Sequence, residues 1–433
     1  MMKKIFLIIF FLVFLTKAVS AITISEALLK AYKNNPELNA ERENIEISKQ
    51  DLNISRSEFL PTVTLSGSRS EENTEKLTNR DGTTSTGRDV SPETQSIIIE
   101  QKLFQGFAGV ASFQKNKIGL NLAEANLLKI EQEILYKAIE AYSGLVLANK
   151  NFSINKKNVN LFERLVETSR ARLERDQITL SDVAQAEASS AEAKAKFINS
   201  KNELNTSKLI YEKVIGAIPD IQNLDDNLNI DLQIPESLNE SIKISKTNNP
   251  ELIIAKLEYE QSEKDIKIAR GDLSPSAKLS IESSKTNDLS ATFDEKDKET
   301  IMATMSWPIF SGGKNTASLK KSKNLKNRKK LLLDYAIKSN DTSVASSWSN
   351  LKSSMSFLDS VKLQVKAAEI ANEGITLEYE TGLGRSTLDV MQSNSILLNS
   401  KVSLASAERN FILSQFKLLQ AVGLLNNSYL KLQ

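Results

Sequence analysis

The 433-residue chain contains no cysteine and no histidine. These two absences exclude disulfides, Cys-ligated zinc, Fe–S and haem–His sites, thiol nucleophiles and imidazole acid–base catalysis. An enzyme built from what remains would need paired carboxylates or a Ser-Lys arrangement. The abundant Glu and Lys residues instead lie at helical spacing, as solvated faces and i,i+4 pairs, and no phosphate-loop motif is present. The chain is therefore expected to be neither an enzyme nor the holder of a cofactor or metal. Proline and glycine are scarce, at 8 and 15. Residues 93–218 and 309–433, tracts of 126 and 125 residues, contain no proline at all. Proline inside a helix costs about 3 kcal/mol, so two near-equal tracts without it suggest two copies of something long and helical. Charge of one sign is also lacking. A formal net charge of +2 excludes the electrostatic footprint of a nucleic-acid partner.

Long hydrophobic runs are confined to the N-terminus. Lys3 and Lys4 precede an apolar run from Ile5 to Leu15, and Val19-Ser20-Ala21 follows. This is the form of a secretory signal peptide, residues 1–21. An uncleaved anchor is the other reading, although the run is short for a bilayer span. Without Lys3, Lys4 and Lys17, 53 basic residues face 54 acidic ones, a net charge of −1. Nowhere later do about 18 consecutive apolar residues occur, so no further spanning helix is expected. With no cysteine, attachment through an acylated N-terminal cysteine is excluded as well.

Internal repetition organises the rest. Asn34-Asn35-Pro36-Glu37-Leu38 recurs as Asn248-Asn249-Pro250-Glu251-Leu252. The same offset carries Glu46 to Glu260, Ser48 to Ser262, Asp51 to Asp265, Arg56 to Arg270, Pro61 to Pro275 and Leu65 to Leu279. Further on, Leu103-Phe104-Gln105-Gly106 pairs with Ile309-Phe310-Ser311-Gly312, and Asp182-Val183 with Asp389-Val390. The chain reads as a tandem duplication. Each half opens with a helix, for which Ser25 is the expected N-cap in the first copy, and a second helix follows the Asn-Asn-Pro turn. Two strand-like stretches come next, 62–69 and 95–104 in one half and 277–284 and 300–310 in the other, joined by polar loops at 70–94 and 285–299. Helical hairpins follow over 107–215 and 313–425. Leu127, Ile130, Ile134, Ala138, Ala141, Leu145 and Ala148 mark a stripe near period 3.5. At 1.5 Å per residue the first arm would run roughly 100 Å, which predicts an elongated molecule.

The stripe alone fits a soluble coiled coil. Alternation in the strands argues otherwise. Ile301, Ala303, Met305, Trp307 and Ile309 share one face, opposed by Met302, Thr304 and Ser306; Ile97, Ile99 and Leu103 oppose Ser96, Glu100 and Lys102. Strands with one apolar and one polar face suit an outer-membrane barrel, and a soluble sandwich is the alternative for any single strand. Four strands cannot close a barrel, because the smallest have about eight, so the barrel reading demands an oligomer.

Two strands, a glycine-containing bend and a long helical hairpin, all duplicated behind a signal peptide, resemble the outer-membrane efflux protein (TolC) family over Ile22 to Leu425. The resemblance implies a mainly α fold with a small membrane β part: a homotrimer whose twelve strands form one outer-membrane barrel, continued by a periplasmic α-helical barrel. It divides the chain into a first repeat at 22–215, an equatorial segment at 216–237, a second repeat at 238–425 and a tail at 426–433. It implies a passive exit duct for efflux or type I secretion, set in outer-membrane lipid. A periplasmic adaptor and an inner-membrane efflux or ABC transporter would be its partners. Carried over residue by residue, Tyr379, Arg385, Ser181 and Asp182 match a gate network at the periplasmic tip. Asp389 matches a pore-facing aspartate, while Gln392 stands where the family often has a second. Adaptor docking would use Thr381-Gly382-Leu383, which approximates the family's Val-Gly-Leu-like tip, and Arg175-Asp176-Gln177, which does not. The second tip is expected to be one residue longer, at Gly384. A periplasmic coiled-coil adaptor or spacer is the competing class. It would carry a lipoyl-like or compact β domain between its arms, and the sequence shows neither.

Overall fold

The computed structural model describes residues 23–86, 89–218, 224–225, 232–290, 292–382 and 384–432. The expected signal peptide and much of the expected equatorial segment lie outside these. The first half comprises α1 (Ile24–Asn34), α2 (Pro36–Ser57), β1 (Thr62–Arg69), β2 (Lys76–Thr78), β3 (Thr84–Thr86), β4 (Glu93–Gln105), α3 (Ala108–Leu173) and α4 (Leu180–Val214). The second comprises α5 (Leu238–Asn248), α6 (Pro250–Gly271), β5 (Ser276–Asn287), β6 (Glu295–Ser306), α7 (Lys314–Glu380) and α8 (Thr387–Val422), with a short α9 (Asn427–Leu430) at the end. The chain forms two compact units, one from residues 42–126 and 251–336, the other from the remainder.

The first of these units holds an antiparallel sheet in the order β1-β4-β5-β6. Its register lines up one apolar row across all four strands, Val63, Ile99, Ile281 and Ile301, beside the Leu65–Ile97 pair. Side chains alternate across a strand, so the neighbouring rows present the opposite face. Ser66, Ser96, Ser284 and Lys298 make one such row, and Thr64, Ile98, Glu282 and Thr300 another. Lys278 bridges Glu100 at 2.7 Å on this polar face, and the Thr94 and Thr286 hydroxyls meet at 2.9 Å. The apolar face is bare: Val63, Leu65, Ile301 and Met305 are each at least two-thirds exposed.

Three details depart from the sequence expectation. Pairing shifts between Lys102 and Phe104, so Leu103 is an extra residue and Phe104 joins Ala277 and Met305 in the apolar rows. The bulge therefore breaks the alternation at Leu103 and brings the Phe104 ring into the rows of Ile97 and Ile99. β6 starts earlier than expected and ends at Ser306, so Trp307 and Ile309 leave the strand. Pro308 has no N–H to continue the ladder. The 70–94 loop also contains a small hairpin, β2 with β3.

The second unit, residues 23–41, 127–250 and 337–432, holds the main core. α1 begins with Thr23, not Ser25, as its cap: Thr23 is extended and its hydroxyl accepts the Glu26 N–H at 3.3 Å. Ala27, Leu28 and Ala31 of α1 are buried with Ile134, Leu135, Ala138, Ile139, Tyr142 and Leu145 of α3. Tyr211 of α4 and Phe416 and Leu419 of α8 belong to the same cluster. A second cluster joins Val344 and Leu351 of α7 to Leu418 and Val422 of α8, with Ile242 and Ile244 of α5 packed against it.

The repeated Asn-Asn-Pro motif has a physical role. Asn35 Oδ1 accepts the N–H groups of Glu37 and Leu38 at 3.0 and 3.2 Å, capping α2, while Pro36 occupies a first-turn position where its missing N–H is harmless. The amide nitrogen of Asn35 donates to the Val214 carbonyl at the end of α4, and that of Asn249 to the Ala421 carbonyl near the end of α8. Each asparagine ties a helix start to the close of the returning hairpin arm. The chain leaves those arms at Gly216 (φ +113°) and Gly423 (φ +84°). A Cβ on Gly423 would lie 2.2 Å from the Asn248 carbonyl oxygen, whereas one on Gly216 meets nothing within 4 Å. Gly216→Ala should therefore cost only the backbone penalty, about 1–2 kcal/mol. Gly423→Ala should cost clearly more, and thermal melts of the two variants will show the difference.

Candidate functional site

The ends of the two hairpins carry the residues singled out by the sequence. Both turns span six residues, 174–179 and 381–386, between the bounds of their flanking helices. The extra residue expected at Gly384 is thus not in the turn; it lies in α7, which has 67 residues against 66 in α3. The first turn passes through positive φ at Asp176 (+57°), the second at Gly382 (+78°) and Gly384 (+82°). Arg175 and Gln177 return their N–H groups to the Arg172 carbonyl at 3.2 and 3.0 Å, and Thr381 places its hydroxyl on the Leu377 carbonyl at 2.8 Å. Leu383 lies outside the described residues.

Both returning helices start with the same device. Thr179 caps α4 and Ser386 caps α8; each hydroxyl accepts the N–H three residues on, and Asp182 or Asp389 reaches back to the cap's own N–H at 2.9 Å. These are reciprocal capping boxes, T-x-x-D and S-x-x-D, visible in the sequence as a polar cap three residues ahead of an acid. The backbone N–H of Thr179, then its hydroxyl, hold the Asp182 carboxyl below its ordinary value of 3.8. Ser386 does the same for Asp389, with the Arg385 charge adding to it.

The four expected gate residues do not meet within one chain. Asp182 is occupied by Thr179, and Ser181 stands exposed beside that box. Arg385 is taken by Glu378, with Nε to carboxylate at 2.6 Å. The Tyr379 side chain is buried and its phenol meets the Thr387 hydroxyl at 3.2 Å. The Arg172 guanidinium lies 4.0 Å from the centre of the Tyr379 ring. Arg172 and Tyr379 are 207 residues apart, the offset that also separates Asp182 from Asp389. The contact therefore joins equivalent positions of the two hairpins, and the sequence reading missed it. Asp389 and Gln392 do come together, lining one open depression with Ala368, Ala371 and Ile375 of α7. Behind the tips, equivalent pairs Lys194–Glu163 and Lys401–Glu369, each at 3.0 Å, cross the two hairpins. Among the described residues no group of His, Cys, Asp or Glu is arranged to hold a metal.

A duplicated strand pair and long hairpin, with a sheet whose apolar face is bare, fit the class of channel-forming outer-membrane proteins. The family model described as outer membrane efflux protein matches residues 27–217 and 242–424, and the chain belongs to that family. The chain is 26% identical to the outer membrane efflux protein BepC of Brucella suis over 412 residues, 95% of this chain and 87% of that protein. It is 20% identical to the alkaline protease secretion protein AprF of Pseudomonas aeruginosa, over 98% of this chain and 89% of that one. The Campylobacter jejuni CmeC outer membrane channel shares the fold, with a TM-score of 0.82 at 16% identity over 92% of this chain and 85% of that one. Family membership places the chain in the outer membrane and among transport channels, not among periplasmic adaptors or in an enzyme family.

The capping boxes make a pH-dependent contribution. Both carboxyls are depressed in the folded chain, so the stabilisation is fully present above the unfolded value near 4 and is lost as pH falls through the lower folded value. Protection factors of the Thr179, Asp182, Ser386 and Asp389 N–H groups, which remove the intrinsic pH dependence of exchange, should fall only below about pH 4. Ser386→Ala should return the Asp389 carboxyl toward 3.8 in an NMR titration and leave Asp182 unmoved.

Proposed function

We propose that three copies of the chain assemble into one outer-membrane exit duct. The duct passes cargo delivered by an inner-membrane efflux or ABC transporter through a periplasmic adaptor. The observation that carries this reading is the four-stranded sheet, which ends in two open edges, β1 and β6, and bares one apolar face. In hydrocarbon every backbone polar group needs a partner, so such a sheet is stable only within a closed ring. Four strands from each of three chains supply one of ordinary size. The efflux and protease-secretion names of the relatives support both cargo classes. Crosslinking and heat-modifiability in fractionated membranes test the assembly: a trimer in the outer membrane is expected, and a soluble periplasmic monomer would refute it.

The hairpin tips are the proposed gate and adaptor-docking surface. In this reading Tyr379, Arg385, Ser181 and Asp182 hold the tip closed, and Arg172, clasping the Tyr379 ring from the other hairpin, is part of the latch. Docking falls to Arg175, Asp176 and Gln177 on one tip and Thr381, Gly382 and Leu383 on the other. A cation over an aromatic face is worth about 1 kcal/mol at a partly exposed site, roughly fivefold in an equilibrium. Arg172→Gln should therefore raise single-channel conductance or open time by about that factor. Tyr379→Phe combined with Arg385→Ser should raise it further. Unchanged conductance in both variants would reject the gate. Asp389 would contribute one carboxylate per chain to a pore constriction, with Gln392 contributing none. Asp389→Ala should weaken block by multivalent cations, and block of undiminished strength in the variant would place the ion site elsewhere.

A further inference from the structure

The first six turns of α7 carry an unbalanced charge. Of the 20 residues from Lys314 to Leu333, eight are Lys or Arg and none is Asp or Glu. Lys326 and Lys329 pair with Glu263 and Glu258 of α6, each at 2.8 Å. The other six, Lys314, Lys320, Lys321, Lys323, Arg328 and Lys330, are exposed, and among the described residues none has an ion-pair partner. The equivalent stretch of the first repeat, 108–127, holds only Lys115 and Lys117 as cations, and Lys115 is paired with Asp265 at 2.8 Å. Duplication therefore does not account for the charge.

Its position is informative. Between the end of β6 and Lys314 stand Trp307, Ile309 and Phe310, all exposed, and Phe107 is exposed on the equivalent bend of the first repeat. Exposed aromatic and apolar side chains at the end of an amphipathic sheet mark a membrane–water boundary. The Trp307 indole donates to the Leu273 carbonyl at 3.1 Å, and the Asn315 amide to the Asp272 carbonyl at 2.6 Å. One corner of the fold thus fixes both the aromatic segment and the first turn of α7. Lys314 to Lys323 then occupy about 14 Å of helix rise beyond that boundary. Anionic lipid headgroups attract Lys and Arg within a Debye length, about 8 Å at physiological salt.

We propose that Lys314, Lys320, Lys321 and Lys323 form a basic collar that binds anionic phospholipid headgroups at the periplasmic leaflet of the outer membrane. The collar rests on the barrel reading given above, which supplies the membrane boundary. It would fix the depth at which the barrel sits, since cations below the aromatic segment resist being drawn into hydrocarbon while headgroups hold them at its edge.

The test reconstitutes the full chain in phosphatidylcholine vesicles with and without phosphatidylglycerol. Insertion is followed by conductance, and lipid contact by the motion-restricted fraction of spin-labelled phosphatidylglycerol relative to spin-labelled phosphatidylcholine. Wild type should prefer the anionic label about threefold or more, and the preference should weaken with added salt. The variant Lys314→Gln, Lys320→Gln, Lys321→Gln and Lys323→Gln should insert and conduct but show no preference. The matching fourfold Lys→Arg variant should retain it. A preference undiminished in the Gln variant overturns the collar. So does a Gln variant whose pore changes its anion selectivity while its lipid preference stays the same, which would place the cations on the tunnel wall. A chain that enters vesicles of neither composition overturns the barrel reading, and the collar with it.

Discussion

An antiparallel sheet that stops at four strands leaves a row of unpaired N–H and C=O groups on each outer strand, and in lipid those groups have no water to turn to. That constraint organises the rest of the molecule. It explains why the apolar row from Val63 to Ile301 can stay uncovered in one chain, and why its opposite face carries serines, threonines and a Lys–Glu pair, which the proposed ring would turn toward a wet interior. It also explains why the core is elsewhere. The buried side chains gather where α1, α3, α4 and α8 meet, while the sheet keeps its hydrophobic surface for another medium. A soluble domain of this composition would have turned those isoleucines inward.

Much of this architecture was legible in the amino-acid order because it rests on local chemistry. The Asn-Asn-Pro motif announced a helix boundary, and the structure adds that its second asparagine reaches the end of a distant helix, a contact that no local pattern encodes. Strand alternation named the faces correctly as far as Lys102, which still pairs in register with Lys278. It failed at Leu103 because a bulge is a property of two strands in register, and the partner residue, Ala277, lies far along the chain. Ser25 lost the cap of α1 to Thr23 since either fits the statistical preference, and only the extended backbone at Thr23 decides between them.

At the hairpin tips legibility was uneven in an instructive way. Asp182 and Asp389 drew attention as a repeated pair, and their repetition has a structural cause: each completes a capping box that starts a helix. Thr179 and Ser386 were equally visible at the required spacing. Arg172 was not, because its meeting with Tyr379 depends on two hairpins packing side by side. Glu378, seven residues before Arg385 and across the turn from it, shows the converse: a local partner takes up a guanidinium that the resemblance alone had placed in a gate network.

The pairing of β4 with β5 has a meaning beyond the single chain. Each repeat brings one strand pair, and β4 with β5 is where the last strand of one pair meets the first of the next. In the proposed ring of six such pairs, the join between β6 and the adjacent copy's β1 is the same kind of seam, last strand to first strand. One chain thus already displays, covalently held, a template for the contact through which separate chains would recognise each other. Assembly would repeat between molecules a docking step that folding has performed once within each of them.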